Sequence, residues 1–326
     1  MKTTFRASPD VALIKYWGKK DAALRIPANG SISMVLAGLD TTTTVEFQDH
    51  LTADDIMIQG ETKEIEVKRV RKHLDRIRQT FGKNGYAKVV SENNFPKGTG
   101  LSSSGSGFAA LTYAAVAALG LTDVSSQQMS ILGRLASGTA CRCACGGFVE
   151  WTEGRDNETS YSQSIYPADH WDLVDVIAIV SRDMKKTTST EGHALAETSP
   201  FFAARQAHIN GKLSVIKEYL AAKDFTPFGE LIEAEALEFH SILHTSNPSF
   251  IAWYPGTIDV MERVRMLRKN GIEAYFTINT GFNVHVLTLP QYQQQVADTL
   301  QESPFVSQLL TAKAGPKPNP VTTHLF

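Results

Sequence analysis

Twelve residues, Pro96-Lys97-Gly98-Thr99-Gly100-Leu101-Ser102-Ser103-Ser104-Gly105-Ser106-Gly107, contain four glycines and five hydroxyl side chains. An apolar run from Phe108 to Leu119 follows at once and is closed by Gly120. Together they suit an anion. Glycines let backbone N–H groups turn inward, and a following helix aims the positive end of its dipole at the loop. Serine hydroxyls add donors and can hold a magnesium ion. A Gly/Ser turn capping a buried helix is the structural alternative, but a turn needs fewer small polar residues. The stretch lacks the Gly-Lys-Ser/Thr ending of a P-loop and is not a clean dinucleotide fingerprint.

Two further stretches carry cations. In Lys15-Tyr16-Trp17-Gly18-Lys19, two lysines flank two aromatics at the end of the apolar run Val11-Ala12-Leu13-Ile14. Side chains at a strand end can reach a cleft, and two cations beside a glycine suit phosphate or carboxylate. A solvated turn is the plainer reading. In Ser137-Gly138-Thr139-Ala140-Cys141-Arg142-Cys143-Ala144-Cys145, one arginine sits among small residues, and arginine can hold a carboxylate or phosphate with two parallel bonds. A surface loop with a surface arginine is the alternative there. The three cysteines alternate, which on a strand would place them on one face. Structural zinc prefers four ligands at other spacings, so reduced, packed side chains are the stronger reading.

The elements that must position these residues are legible from period and punctuation. Residues 3–7, 11–14, 31–36 and 41–47 read as strands, the last through four consecutive threonines. Residues 63–81 have helical periodicity, with Val67, Val70, Leu74, Ile77 and Phe81 on one side and Gly82 to close the helix. A strand through Val89-Val90 feeds the glycine loop. Residues 126–137, 201–222, 226–244, 257–269 and 291–300 read as helices, and 174–180 as a buried strand. Residues 273–278 and 284–289 read as a hairpin around Asn279-Thr280-Gly281-Phe282-Asn283. Residues 312–321, with three prolines, read as an extended tail or loop.

The 326 residues are 42% hydrophobic and 20% charged, with net charge −2, which allows a sizeable core in two domains or one large one. No basic block points to nucleic acid. No apolar stretch approaches the ~20 residues of a membrane span, so no membrane partner is expected and the reading is a cytoplasmic protein. The best boundary lies near 180–200, where strand-rich sequence gives way to long helices.

Three blocks, Ala12 to Asp21, Asn93 to Leu111 and Ser137 to Trp151, closely resemble the mevalonate diphosphate decarboxylases of the GHMP kinase superfamily. The resemblance runs in order from residue 7 to about 290. It implies an α+β fold, GHMP kinase-like, with an ATP-binding half over 1–185 that is S5-domain-2-like and a ferredoxin-like half over 186–326. The active site would lie in the cleft between them. It implies ATP and Mg2+ as cofactors, a phosphorylated mevalonate as small-molecule substrate, and a homodimer. The reaction would phosphorylate a tertiary 3-hydroxyl and then release phosphate and CO2.

Roles follow by position. The resemblance places Pro96, Gly98, Gly100, Ser102, Ser103, Ser104, Gly105 and Ser106 around the ATP triphosphate, with Ser104 also at the magnesium. It makes Lys15 the lysine that orients the general base and neutralises developing charge. Tyr16 and Lys19 would line the 5-phosphate pocket. Ser137, Gly138, Thr139 and Arg142 match the family's Ser-Gly-Ser-Ala-Cys-Arg block, with Arg142 on the substrate carboxylate. Thr190 and His193 would be further substrate contacts. A phosphate leaving beside a carboxylate needs such preorganised positive groups.

Three positions depart from the pattern. The family's Asp-Ala-Gly-Pro-Asn turn, whose Asp is placed to take the 3-hydroxyl proton, is Asn279-Thr280-Gly281-Phe282-Asn283 here. An amide cannot act as that base, and losing a positioned base costs ~10²–10⁴-fold. Relatives that only phosphorylate the 3-hydroxyl tend also to lose the lysine and arginine that stand here as Lys15 and Arg142. The expectation is therefore a decarboxylase framework with its base removed, with a 3-hydroxyl kinase or a non-catalytic binding protein as alternatives. Residues 188–193 carry Glu191 and His193 where relatives often have Gly-Met, and Gly30 replaces a usual serine. Fewer cations and hydroxyls at the 5-end suit mevalonate 5-phosphate better than the 5-diphosphate.

Overall fold

Period-two patterning and β-branched residues build three main sheets, and Ala-rich and amphipathic runs supply the helices that cover them. The computed structural model describes residues 1–96, 99–183 and 189–326. In chain order come β1 (Lys2–Ala7), β2 (Asp10–Ile14), β3 (Lys19–Asp21), β4 (Ile26–Pro27), β5 (Ser31–Val35), β6 (Thr41–Gln48), β7 (Asp55–Ile58), α1 (Glu64–Phe81) and β8 (Tyr86–Asn93). Then follow α2 (Ser103–Ala118), α3 (Ser126–Ala136), α4 (Ala140–Cys143), β9 (Phe148–Trp151), β10 (Ser162–Tyr166) and β11 (Val174–Ile179). The chain continues through α5 (Ser189–Ala194), α6 (Phe202–Ala222), α7 (Phe225–Thr245), α8 (Pro255–Lys269), β12 (Ala274–Thr277), β13 (Val284–Thr288), α9 (Gln293–Gln301), β14 (Gln308–Lys313) and β15 (Asn319–Pro320).

The first sheet has the order β15-β1-β6-β8-β7 and is antiparallel except for β7 on β8. Val45 and Val89 of this sheet pack with Val70, Leu74 and Ile77 of α1 and Leu111 of α2. The α1 stripe is the one its spacing predicts, and Gly82 ends the helix at φ 61°. A second sheet, β10-β9-β5-β2, carries the strand that ends just before Lys15. The third sheet has the order β12-β13-β11-β14, and its first three strands are buried on both faces. Along β11, Ile177 and Ile179 face the core shared with α6 and α7, while Val174, Val176 and Ala178 face α8 and α9. The first of these cores also takes Val11, Leu13 and Ile32 from the second sheet, so one apolar mass spans both halves.

Two expectations change. Strand β11 pairs with β13 and β14, so the third sheet claims the chain from residue 174, ahead of the expected division at 185. The stretch 312–321 is not simply a tail or loop. Its first two residues close β14, Ala314 bridges to Leu36, and β15 pairs with β1. The chain thus crosses back to the first half after completing the second. A Cβ on Gly315 would lie 2.7 Å from the Ala37 nitrogen, so the return requires glycine.

Candidate active site

The glycine loop and the β12–β13 turn lock against each other across the two halves. Gly100 sits at φ 97°, and a Cβ there would lie 2.8 Å from the Gly281 Cα. Asn283 Nδ2 donates to the Thr99 and Ser181 carbonyls, both at 3.1 Å, and its Oδ1 accepts from Val180 N at 2.8 Å. This contact brings Asn279 to the loop, with its Nδ2 3.5 Å from the Gly100 carbonyl.

The loop serines divide by direction. Ser102, at φ 58°, donates to Asp10 Oδ1 at 2.7 Å. Ser106 is fully buried and shares a 2.6 Å hydrogen bond with the Thr41 hydroxyl, which fixes α2 on the sheet. Gly105 lets α2 close on α4, since a Cβ there would lie 2.8 Å from both Cys143 Sγ and Thr139 Oγ1. Ser103 and exposed Ser104 line the wall of an open cleft of about 610 Å³, floored by Phe108 and Val89 and flanked by Arg69 of α1. Pro96 precedes it half-buried. Gly98 lies outside the described residues.

Charges concentrate at both ends of β2. Arg142 is buried and donates from Nε to Asp10 Oδ2 at 2.6 Å and from Nη1 to Ser31 Oγ at 2.8 Å. Burial works against its charge, and Asp10 more than restores it. Lys15 is also buried; its Nζ donates to the Ala12 carbonyl and to Thr277 Oγ1. Beneath it Arg205 pairs with Glu235 and donates to the Lys15 carbonyl at 2.9 Å, while Lys15 N donates to Glu235 Oε1 at 3.0 Å. Burial pushes the Glu235 carboxyl up, but Arg205 and Lys212 outweigh it and hold it below its usual range. Asn279 Oδ1 accepts from Ala12 N at 3.2 Å. His240 Nε2 donates to the Asn279 carbonyl at 2.9 Å, and burial lowers that imidazole to about 3. Lys15, Asn279 and Arg142 are thereby assembled on one wall.

The neighbouring region is aromatic. The Tyr16 ring stacks on His193 at 4.4 Å between centroids and meets the edge of Trp151 at 4.5 Å. The Arg142 guanidinium lies 5.7 Å from its centroid. Gly138 gives the Tyr16 ring its room, because a Cβ there would lie 2.3 Å from the Tyr16 hydroxyl. Ser137 is buried at the end of α3 and Thr139 half-buried before α4. Lys19 is half-buried, and burial, helped by Arg25, lowers it to about 8. Thr190 is exposed on α5, one turn from buried His193. Thr188 lies outside the described residues.

The cysteines are not on a strand: Cys141 and Cys143 belong to the short helix α4. All three are free and buried, and burial pushes their thiols up. Among the described residues no cluster of His, Cys, Asp or Glu could hold a metal.

Sequence reading missed Asp10, Arg205, Glu235, Thr277 and His240. A signal existed for Glu235. It falls on the apolar stripe of Ile232, Ala236 and Phe239, where an unpaired carboxylate would be intolerable.

The architecture and the buried cationic wall beside a Gly/Ser loop define a GHMP kinase-fold protein that handles phosphorylated substrates. Residues 7–162 match the family described as Diphosphomevalonate decarboxylase-like N-terminal domain, and residues 175–320 the Mevalonate 5-diphosphate decarboxylase C-terminal domain. The chain belongs to the mevalonate diphosphate decarboxylase family. It is 33% identical over 305 residues to the phosphomevalonate decarboxylase of Haloferax volcanii, covering 93% of each chain. The crystal structure of mevalonate diphosphate decarboxylase from Staphylococcus aureus superposes with a TM-score of 0.92 at 35% identity, over 98% of each chain. The structure of MDDEF in complex with MVAPP, AMPPCP and magnesium superposes with a TM-score of 0.92 at 36% identity, over 99% of each. Among the described residues no helix is long and apolar enough to cross a membrane.

Proposed function

We propose that this chain cleaves ATP to decarboxylate mevalonate 5-phosphate, giving isopentenyl phosphate, ADP, phosphate and CO2. The observation that carries the reading is the wall of buried Lys15 and Arg142 and half-buried Asn279, which meets the glycine loop through Asn279. Arg142 is oriented by Asp10 and Ser31, so its remaining edge can hold the substrate carboxylate without reorganisation. Ser103 and Ser104 border the cleft, where the triphosphate of ATP would lie against the start of α2. The apolar floor at Phe108 and Val89 suits the adenine. Magnesium would rest on the triphosphate and a hydroxyl such as that of Ser104, which is exposed in the first turn of α2. When bound, it offsets charge on the β- and γ-phosphate oxygens.

The 5-end favours one phosphate. Lys19 is half-buried, with its charge opposed by burial and by Arg25, and a side chain at Gly30 would press on the Trp151 carbonyl at 3.0 Å. The similarity to solved diphosphate decarboxylases supports mevalonate 5-diphosphate as the second reading. Incubating the chain with ATP and each substrate, and assaying ADP and CO2, separates them. A higher kcat/KM for the diphosphate overturns the monophosphate. ADP without CO2 overturns decarboxylation.

A further inference from the structure

The reaction needs a proton acceptor at the 3-hydroxyl, and the Asn279 amide cannot be one. His240 is spoken for: its Nε2 donates to the Asn279 carbonyl and its ring is buried. Asp10 and Glu235 are buried and held by Arg142 and by Arg205 with Lys212. A carboxylate so paired is a poor base, because its partners stabilise the anion.

We propose, on the reading of the site given above, that the Lys15 amine takes the 3-hydroxyl proton in this chain. Lys15 is buried but not sealed, at 3% exposure, and the two hydrogen bonds of its Nζ go to neutral oxygens, the Ala12 carbonyl and the Thr277 hydroxyl. The Thr277 hydroxyl is 3.4 Å from the same carbonyl and can donate to it, which leaves its oxygen free to accept from Lys15. Two N–H donations leave a neutral amine with its lone pair. Among the described residues no carboxylate lies within ion-pair distance of Nζ. The charged groups around it come from every packed element: Asp10 on β2, Arg142 on α4, Arg205 on α6, and Glu235 on α7, with neutral His240 beside them. Burial is the main force that lowers Lys15, to about 7; Glu235 and Asp10 oppose that shift, and Arg142 and Arg205 add to it. An aspartate at 279 would place a carboxylate on the same wall, because residue 279 bonds to Ala12 N while Lys15 bonds to Ala12 O. Such a carboxylate would hold the ammonium charged. Asparagine therefore removes one base and releases another.

The electron balance closes. The hydroxyl proton moves to the Nζ lone pair as the oxygen bonds to the γ-phosphorus, and the pair of the breaking P–O bond stays on ADP. The C3–O bond then breaks with its pair on the departing phosphate. The carboxylate's C–C pair forms the alkene and CO2 leaves. The phosphate takes the proton back from the Lys15 ammonium, which returns to the neutral amine. The same group is thus neutral when a proton must be accepted and positive when phosphate must depart.

The test is a double-mutant cycle read as single-turnover ADP formation. Lys15→Met in the natural chain should slow it by ~10²–10⁴-fold, and in Asn279→Asp by less than about tenfold. The pH limb of the natural chain should sit near 7 and move into the carboxylate range in Asn279→Asp. Substrate ionisations and Lys19 are common to both chains, so the difference isolates the base. An equal cost of Lys15→Met in both backgrounds overturns the proposal. So does activity that appears only with Asn279→Asp, although the decarboxylase reading survives that outcome. No ADP or CO2 from either chain with either substrate overturns the decarboxylase reading as well. Lys15→Arg, which keeps charge but offers no base near neutrality, replaces Lys15→Met if the latter does not fold.

Discussion

The two ends of the proposed substrate pocket are built differently. At the reacting end, Asp10, Arg142, Lys15, Arg205 and Glu235 are all buried and each is tied to a named partner. At the 5-end, the Tyr16 ring stacks on His193 and meets the edge of Trp151, and half-buried Lys19 follows three residues further along the chain from Tyr16. The reacting end fixes charge in place before substrate arrives, which lowers reorganisation in the transition state. The 5-end sorts by room and by the number of cations. Chemistry and substrate choice can therefore be altered separately.

Asp10→Asn should break the charged end most severely. It leaves Arg142 buried without its carboxylate, at a cost of about 3–5 kcal/mol in denaturant unfolding. ADP formation should fall by ~10³-fold or more, since Arg142 and Ser102 both lose their anchor. A turnover unchanged within about threefold would show that the ends do not differ in this way.

Lys15→Met should come next. The folded chain holds the Lys15 ammonium at about 7 against 10.5 for an ordinary lysine, so the unfolded chain binds that proton more tightly. The resulting penalty is full below about pH 7, and stability rises with pH between about 7 and 10.5. Between about pH 7 and about pH 9 the gain is roughly 2–3 kcal/mol. The substitution should flatten it in denaturant midpoints taken at those two pH values.

At the 5-end, effects should be smaller and appear in KM. Gly138→Ala places a methyl 2.3 Å from the Tyr16 hydroxyl. It should cost about 1–3 kcal/mol as the ring shifts between Trp151 and His193, with KM raised more than kcat is lowered. Gly30→Ser is the mildest. Its Cβ meets the Trp151 carbonyl at 3.0 Å and Leu213 at 3.2 Å, so stability should fall by about 1 kcal/mol. The added hydroxyl should move the kcat/KM ratio a few-fold toward the diphosphate. A ratio that does not move would remove room at residue 30 as a determinant.

The legible part of the site was the part written in contiguous residues. Lys15, Tyr16 and Lys19 share one strand end, and the loop serines share one helix start, so local pattern reached them. Asp10 and Glu235 matter through partners 132 and 30 residues away, Arg142 and Arg205, and spacing cannot announce such pairs. The helices 64–81, 202–222 and 225–245 stood out because period and punctuation agree. Strand β14 did not. It is half-exposed on an edge of its sheet, and its Gln308-Leu309-Leu310-Thr311 lacks the alternation that marks a strand. Ser106 shows the limit within a motif: its type suggested phosphate, yet its hydroxyl binds Thr41 inside the sheet.

The return of the chain after β14 has a mechanical consequence. Two separate spans, 167–173 and 314–318, run between the halves, and past the second the final residues stay on the first, with His324 on Thr4 and the Phe326 carbonyl on Lys2. A body joined to another by one span can swivel in any direction, whereas one joined by two turns most freely about the line between them. Together with the apolar mass the halves share, the two crossings limit the directions in which one half can turn against the other.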